Sequence, residues 1–452
     1  MSRRSLRRGV RRGALGATLL LLGLAGLWPD APAGCVDWRQ ARAVVLESDD
    51  WGLCGFLPNA AALAGEERSA LQAGRFPAAY WSSTLEDSGA VSALAGVLAR
   101  HRGRDGQPPL LQANMIVSAL AWRIDASGQA GWRRHDIPDL PAAYARPGLW
   151  TAVDAAIAAG VWRPELHGAF HYDPARRQAA AAAGGPGRWA AERGIVVFPG
   201  SATAWELGSW RATAELAAEL DRSRSIFAAR FGRPPAAVCA PDYVWDARCE
   251  DLWESRHIRV IQAKREQRDP RRGWAGGLAR VRKVVARAWD KWSHPGRVYL
   301  DRNCRFEPAQ AENPEETVRA CLRDVRRAWA RGEPAIIETH RVNYAGLDSA
   351  ATAAGRRLLD ELLTALESEP GGAPIYLSDA ELASLLREGT SAVRRGPKVL
   401  VRNLTHTARL VRLSGDARPV AKAQAADAGW RGRTEAVTVV AVPAGVSRQA
   451  GR

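Results

Sequence analysis

Eight short apolar runs, set apart by segments of helical spacing, limit what this chain can fold into more than any other feature. The runs cover residues 43–46, 110–116, 161–166, 236–239, 258–262, 297–300, 335–338 and 374–377. Between them lie Ala- and Leu-rich segments, 60–72, 89–101, 148–159, 206–230, 314–331 and 350–367, in which residues such as Leu216, Leu220 and Phe227 recur at helical spacing. Strands that alternate with helices pack as a parallel sheet covered by helices. The pattern therefore predicts an α/β fold, a (β/α) barrel of about seven to eight strands over residues 38–390. After Leu386 the texture changes, and residues 399–404 and 435–440 alternate like short strands. Residues 396–452 are expected to form a small β-rich appendage with a disordered end. Segment 264–291, rich in Gly, Arg and Trp, interrupts the pattern and is expected to be an exposed excursion near the barrel mouth.

Polar residues collect where the runs end. Asp49 and Asp50 follow the first run, His167 and His171 the third, Pro241-Asp242-Tyr243 the fourth, Asn303 the sixth and His340 the seventh. Barrel enzymes build their sites from the C-terminal ends of the strands, so these residues are expected to converge. Two imidazoles and one carboxylate can hold a divalent cation and leave positions open for water and substrate. That leaves one carboxylate and one imidazole as base and acid. Trp51, Trp162, Trp245 and Tyr243 flank the motifs and could equally stack on a ligand or pack the barrel mouth. Glu165 and Glu338 fall in or beside the site by alternation, with structural roles favoured.

The net charge of +16 is unevenly placed. Residues 1–34 carry six Arg against one Asp, while 264–291 and 396–452 each carry ten basic against three acidic residues. The remaining body is slightly acidic. No nucleic-acid module accompanies the charge, and no nucleic-acid partner is expected. Six Arg followed by the apolar stretch 14–28 read as an export signal or N-terminal anchor over 1–34, so the protein is expected to be exported: periplasmic, membrane-anchored or extracellular. Six Cys in an exported chain allow disulfides, with Cys239–Cys249 and Cys304–Cys321 the favoured local pairs and buried free thiols the alternative.

Ser48-Asp49-Asp50, His167-x-x-x-His171, Ala240-Pro241-Asp242-Tyr243 and Thr339-His340, in that order, resemble the motifs of the polysaccharide deacetylase family (carbohydrate esterase family four, with the nodulation-type deacetylase fold) over roughly residues 40–390. The resemblance implies that Asp50, His167 and His171 ligate a divalent metal, most simply zinc. It further implies that Asp49 is the base on a metal-bound water and His340 the acid. An oxyanion donor would come from a backbone N–H near Tyr243, and Trp51, Pro241, Asp242, Tyr243, Asn303 and Arg341 would contact substrate. The substrate would be an acetylated polysaccharide of the cell envelope or extracellular space, with possible membrane association through the N-terminal segment. Two departures stand out. The family's Arg two positions before the Pro is Cys239 here, so Arg341, Arg302 or no residue fills that role. The usual Asp-and-Trp motif is replaced by Asp290-Lys291-Trp292 or by the Asn303–Glu307 stretch. The alternatives are a glycoside hydrolase pairing Glu165 or Glu338 with Asp49, and an inactive glycan-binding barrel.

Overall fold

A computed structural model describes residues 36–52, 56–62, 78–124, 127–195, 205–264, 293–407, 409–414, 418–419, 431–434, 437–442 and 446–451. Its centre is a parallel sheet of β1 (Ala43–Trp51), β2 (Leu111–Ile116), β5 (Trp162–Gly168), β6 (Ala237–Cys239), β7 (Val260–Ala263), β8 (Val298–Asp301), β9 (Cys304–Arg305), β10 (Ala335–His340) and β11 (Ile375–Tyr376). The spatial order is β8-β7-β6-β5-β2-β1-β10-β9, with β11 against the first residues of β1. The two edge strands, β8 and β9, are separated in sequence by Arg302 and Asn303 alone. Two residues span only about 10 Å between the flanking Cα atoms, so the sheet must curl until its edges meet. The Arg302 N–H bonds the Ala263 carbonyl of β7, and the next N–H, of Asn303, bonds the Ile336 carbonyl of β10. One run of chain thus changes partners at the seam and joins the two edges of the curled sheet, although β8 and β9 do not pair with each other.

Every residue of β1 is buried, as expected of a strand covered on both sides. Alternation sorts its side chains. Val44 and Leu46 join the large core between sheet and helices, together with Leu94, Leu98, Leu358 and Leu362. Ala43 and Val45 face inward and pack with Ala237, Leu300 and Ile336 at the barrel floor. Farther along β1 the inward positions become Glu47 and Asp49, so the barrel is apolar at its base and charged at its mouth.

All eight apolar runs are strands of this sheet, although β9 was too short to announce itself. The helical segments after position 80 are present as Ser88–Arg100, Leu149–Ala158, Thr213–Phe231, Glu316–Ala330 and Ser349–Glu367. Most of segment 60–72 and nearly all of 264–291 lie outside the described residues. Helices Pro174–Ala182, Gly185–Glu192, Ala247–Ser255 and Asp379–Glu388 lacked long apolar stripes, and a hairpin of β3 (Ser118–Ile124) and β4 (Ala130–Asp136) rises from the end of β2. Cys239, Cys249, Cys304 and Cys321 are buried free thiols, which corrects the expected local disulfides; Cys35 and Cys54 lie outside the described residues. Among the described residues no helix is long and apolar enough to cross a membrane, and the leader 1–34 lies outside them.

Beyond the barrel, β12 (Thr390–Arg395) and β13 (Lys398–Asn403) form an antiparallel pair extended by Val446–Gly451. Its anchor is ionic. Arg395 bonds Glu381 at 2.9 Å, while Arg402 pairs with Glu381 and, at 2.8 Å, with Asp105. Glu381 also closes a capping box with Ser378 at the start of the helix after β11.

Candidate active and metal site

Asp50, His167 and His171 converge at the barrel mouth. The Asp50 Oδ1 lies 3.5 Å from His167 Nε2 and 3.4 Å from His171 Nε2. Donor atoms about 2.0–2.1 Å from a tetrahedral centre sit about 3.3–3.4 Å from one another, so this spacing fits a shared small cation. His167 Nδ1 donates to the Cys239 carbonyl at 2.8 Å. That bond puts the proton on Nδ1 and leaves the Nε2 lone pair aimed at Asp50, the usual backing of a metal-ligating imidazole. Burial pushes the Asp50 carboxyl up, but the His167 and His171 imidazoles outweigh it and hold the group well below the ordinary carboxylate range.

The backbone around the triad is held in unfavourable conformations. Asp50 (φ 71°), His171 (φ 63°), Asp242 (φ 53°) and Tyr243 (φ 56°) all occupy the left-handed region. Such non-glycine positions persist only where the surroundings dictate them. For His171 the cause is Glu206, a buried carboxylate that accepts the N–H groups of Ala169 (2.8 Å), Phe170 (3.0 Å) and His171 (2.8 Å). At Gly168 (φ 140°) a Cβ would stand 2.5 Å from Glu206 Oε2, so a side chain there would displace the carboxylate that shapes the loop.

Asp49 lies beside the triad at the end of the inward row. Arg302 reaches it from the barrel seam with a two-pronged contact, Nη1 to Oδ2 at 2.6 Å and Nη2 to Oδ1 at 2.8 Å. Asn114 Nδ2 adds a bond to Oδ1 at 2.6 Å, and the Cys239 thiol lies 3.7 Å from Oδ2. The remaining Arg302 protons bond Glu47 at 2.6 Å and Gln262 at 2.7 Å, with Nη1 shared onto the Tyr243 hydroxyl. Burial raises the Asp49 carboxyl, and the guanidinium overrides it and carries the group well below its ordinary value. Of the three outcomes open for the displaced Arg, the seam residue Arg302 is the one that meets Asp49.

His340 faces Asp49 from β10, with Nε2 3.8 Å from Asp49 Oδ2. Its Nδ1 is 2.6 Å from Glu307 Oε1, and Asn343 Nδ2 holds the other oxygen of Glu307 at 2.8 Å. Burial alone would lower the imidazole, but Glu307, then Asp49 and Asp50, push it up to about 10. Glu307, of the 303–307 stretch, is thus the residue that backs His340, whereas 290–292 lies outside the described residues.

The expected substrate-contacting residues divide. Pro241, Asp242 and Tyr243 form a short 3-10 turn at the mouth, and the Tyr243 hydroxyl donates to Glu338 at 2.9 Å. The Tyr243 N–H is spent on the Ala240 carbonyl at 3.0 Å, and the Val244 N–H on Pro241 at 3.1 Å, so neither is the free oxyanion donor expected near Tyr243. Trp51 is fully buried, bonded to Ser48 at 2.8 Å and edge-packed on Trp162. Arg341 is buried beneath the mouth, tied to Glu86 at 3.1 Å and to Ser83. Asn303 bonds Pro334 and Ile336 at the start of β10, within the barrel wall. None of these three is brought to the cluster, because each answers a buried polar group elsewhere. Glu165 is fully buried against Arg163, Arg233 and two backbone N–H groups, and Glu338 pairs with Lys264. Burial raises both carboxyls and their cations bring both below the ordinary value, the reverse of what a glycosidase acid requires. Glu206, Asn114, Gln262 and Asn343 escaped sequence reasoning, for a lone amide or acid carries no spacing signal.

No protein-family model matches the chain, and no curated protein does. Solved structures do. A candidate polysaccharide deacetylase from Mycobacterium smegmatis aligns over 80% of this chain and 92% of its own, at 12% identity and a TM-score of 0.34. Agd3, described as a novel carbohydrate deacetylase, aligns over 93% of this chain and 65% of its own, at 10% identity and a TM-score of 0.40. A mutant of BA3943, a CE4-family pseudoenzyme, aligns over 72% of this chain and 63% of its own, at 8% identity and a TM-score of 0.28. The chain is similar to these proteins at the margin of sequence likeness.

Proposed function

We propose that this protein is an exported, metal-dependent hydrolase that removes acetyl groups from a cell-envelope or extracellular polysaccharide. The observation that carries the reading is the opposed pair beside the triad: Asp49 forked by Arg302, and His340 backed by Glu307, 3.8 Å apart. Two groups of one site pushed in opposite directions suit a base and an acid. Asp50, His167 and His171 would hold a divalent cation, which when bound supplies Lewis-acid polarisation of the acyl carbonyl. Asp49, ionised, takes a proton from the attacking water as its oxygen bonds the acyl carbon. His340, protonated, gives a proton to the sugar nitrogen or oxygen as the carbon–nitrogen or carbon–oxygen bond breaks, leaving acetate and the free amine or alcohol. Arg302 keeps the base oriented, so the departure at Cys239 no longer favours an inactive barrel. The basic, apolar leader supports export.

The test combines metal analysis with acetate release from acetylated chito-oligomers and acetylated xylan, before and after chelation and zinc addition. Chelator-sensitive acetate release is expected. His167→Ala should lose metal, whereas Asp49→Asn should keep it and lose turnover. Full activity in Asp49→Asn would remove Asp49 as base, and a protein that binds no metal would end the reading.

A further inference from the structure

The 3-10 turn Ala78–Ser82 brings Tyr80 to the same mouth. Its ring packs on Phe56 at 5.3 Å and against Ile116, the last residue of β2, so the side chain stands beside the end of β1 that carries Asp49 and Asp50. Around it the backbone is pinned: the Ser83 N–H bonds the Tyr80 carbonyl at 3.2 Å, Leu347 bonds Ser82 at 2.7 Å and Leu57 bonds Ser83 at 3.1 Å. The turn also packs against Pro308–Gln310, directly after Glu307. Among the described residues the Tyr80 hydroxyl has no hydrogen-bond partner, though its ring is largely covered. Burial raises the phenol well above its ordinary value, and Asp50, Glu307, Asp242 and Asp49, the charges that bear on it, raise it further. The group therefore remains a neutral O–H donor, held by its ring contacts at the C-terminal end of β2 beside the mouth, with no acceptor among the described residues.

The donors already placed at the mouth are committed elsewhere. Oxyanion formation needs a preorganised N–H or O–H close to the developing charge. The N–H groups of Tyr243 and Val244 are consumed inside their own turn, the Tyr243 hydroxyl is bound to Glu338, and Arg302 is committed to four partners. We propose that Tyr80 is a further catalytic residue, its phenol O–H donating to the acyl carbonyl oxygen as that oxygen becomes an oxyanion. This role rests on the deacetylase reading. No covalent bond to Tyr80 forms, and the phenol keeps its proton throughout.

Tyr80→Phe retains the ring contacts with Phe56 and Ile116 and removes only the hydroxyl. In the zinc-loaded full-length protein, kcat for acetate release from acetylated chito-oligomers should fall about 100-fold. KM should stay within about threefold, since a donor that matters in the transition state shows in kcat. Zinc affinity by calorimetry and the melting temperature should match wild type, and acetate, as product, should bind less tightly. Wild-type kcat in Tyr80→Phe overturns the proposal, as does a defect confined to KM or to zinc binding. If wild type releases no acetate, the deacetylase reading fails separately. Acetate affinity then decides Tyr80: equal binding by the two proteins, or none by wild type, overturns its role.

Discussion

Arg302 spends its side-chain hydrogen bonds on Glu47, Asp49, Gln262 and Tyr243, and the two carboxylates among them are buried. Only a planar fork satisfies both oxygens of Asp49 while reaching Glu47 with its third nitrogen. On the deacetylase reading, Arg302→Lys is therefore expected to keep the bound metal and lower kcat about 10- to 100-fold, read by parallel metal analysis and acetate release. Arg302→Met should cost more, about 3–5 kcal/mol in urea denaturation, because it leaves buried charge without a partner. Glu206 allows a comparable test on the metal side. Glu206→Gln keeps the volume but loses an anion that receives three N–H donors. Zinc affinity, measured by competition with a chelator, should fall about 10- to 100-fold while the melting temperature changes little. The convergence of Asp50 with His167 and His171, and of Asp49 with His340, was legible in sequence because their spacing and order survive at the strand ends. Arg302 was legible only as one of several options, since its partner lies 253 positions away and only barrel closure brings the two together.

At the scale of elements, helix Ser349–Glu367 sits on the turn Arg341–Asn343 so closely that a Cβ on Gly355 would stand 1.8 Å from the Asn343 carbonyl. No side chain can yield there, so the helix or the turn must move. Gly355→Ala should destabilise the protein by about 1–3 kcal/mol. It should also lower kcat, because Asn343 fixes Glu307, which fixes His340. If urea denaturation shows the loss but kinetics do not, the turn is stiffer than its contacts imply. The β strands were readable because a strand buried on both faces is a continuous apolar run. The helices Pro174–Ala182 and Ala247–Ser255 were not, for they bury little and rely on caps, Asp173 and Asp246, which look like any surface acid in sequence.

For the whole molecule, the appendage is fastened to the barrel by charge. Burial raises Glu381, but Arg395 and Arg402 prevail and hold it down to about 2, against an ordinary value of 4.5. A carboxylate depressed on folding contributes stability that is complete above its unfolded pKa and lost as pH falls through the folded one. The shift corresponds to a loss on the order of 3 kcal/mol as pH drops from about 4.5 to 2. Melting curves across that window should steepen in wild type and flatten in Glu381→Gln; equal slopes would contradict the ion pairing. The change of texture after Leu386 was visible in sequence, but the clamp was not. Asp105, Glu381, Arg395 and Arg402 are ordinary charged residues until two modules press them together.

The strand that changes partners at Arg302-Asn303 has one more consequence. Its two ends belong to opposite edges of the sheet, so the place of the guanidinium beside Asp49 depends on those edges being brought together. The residue that forks Asp49 is thus also the one at which the two edges of the sheet are joined.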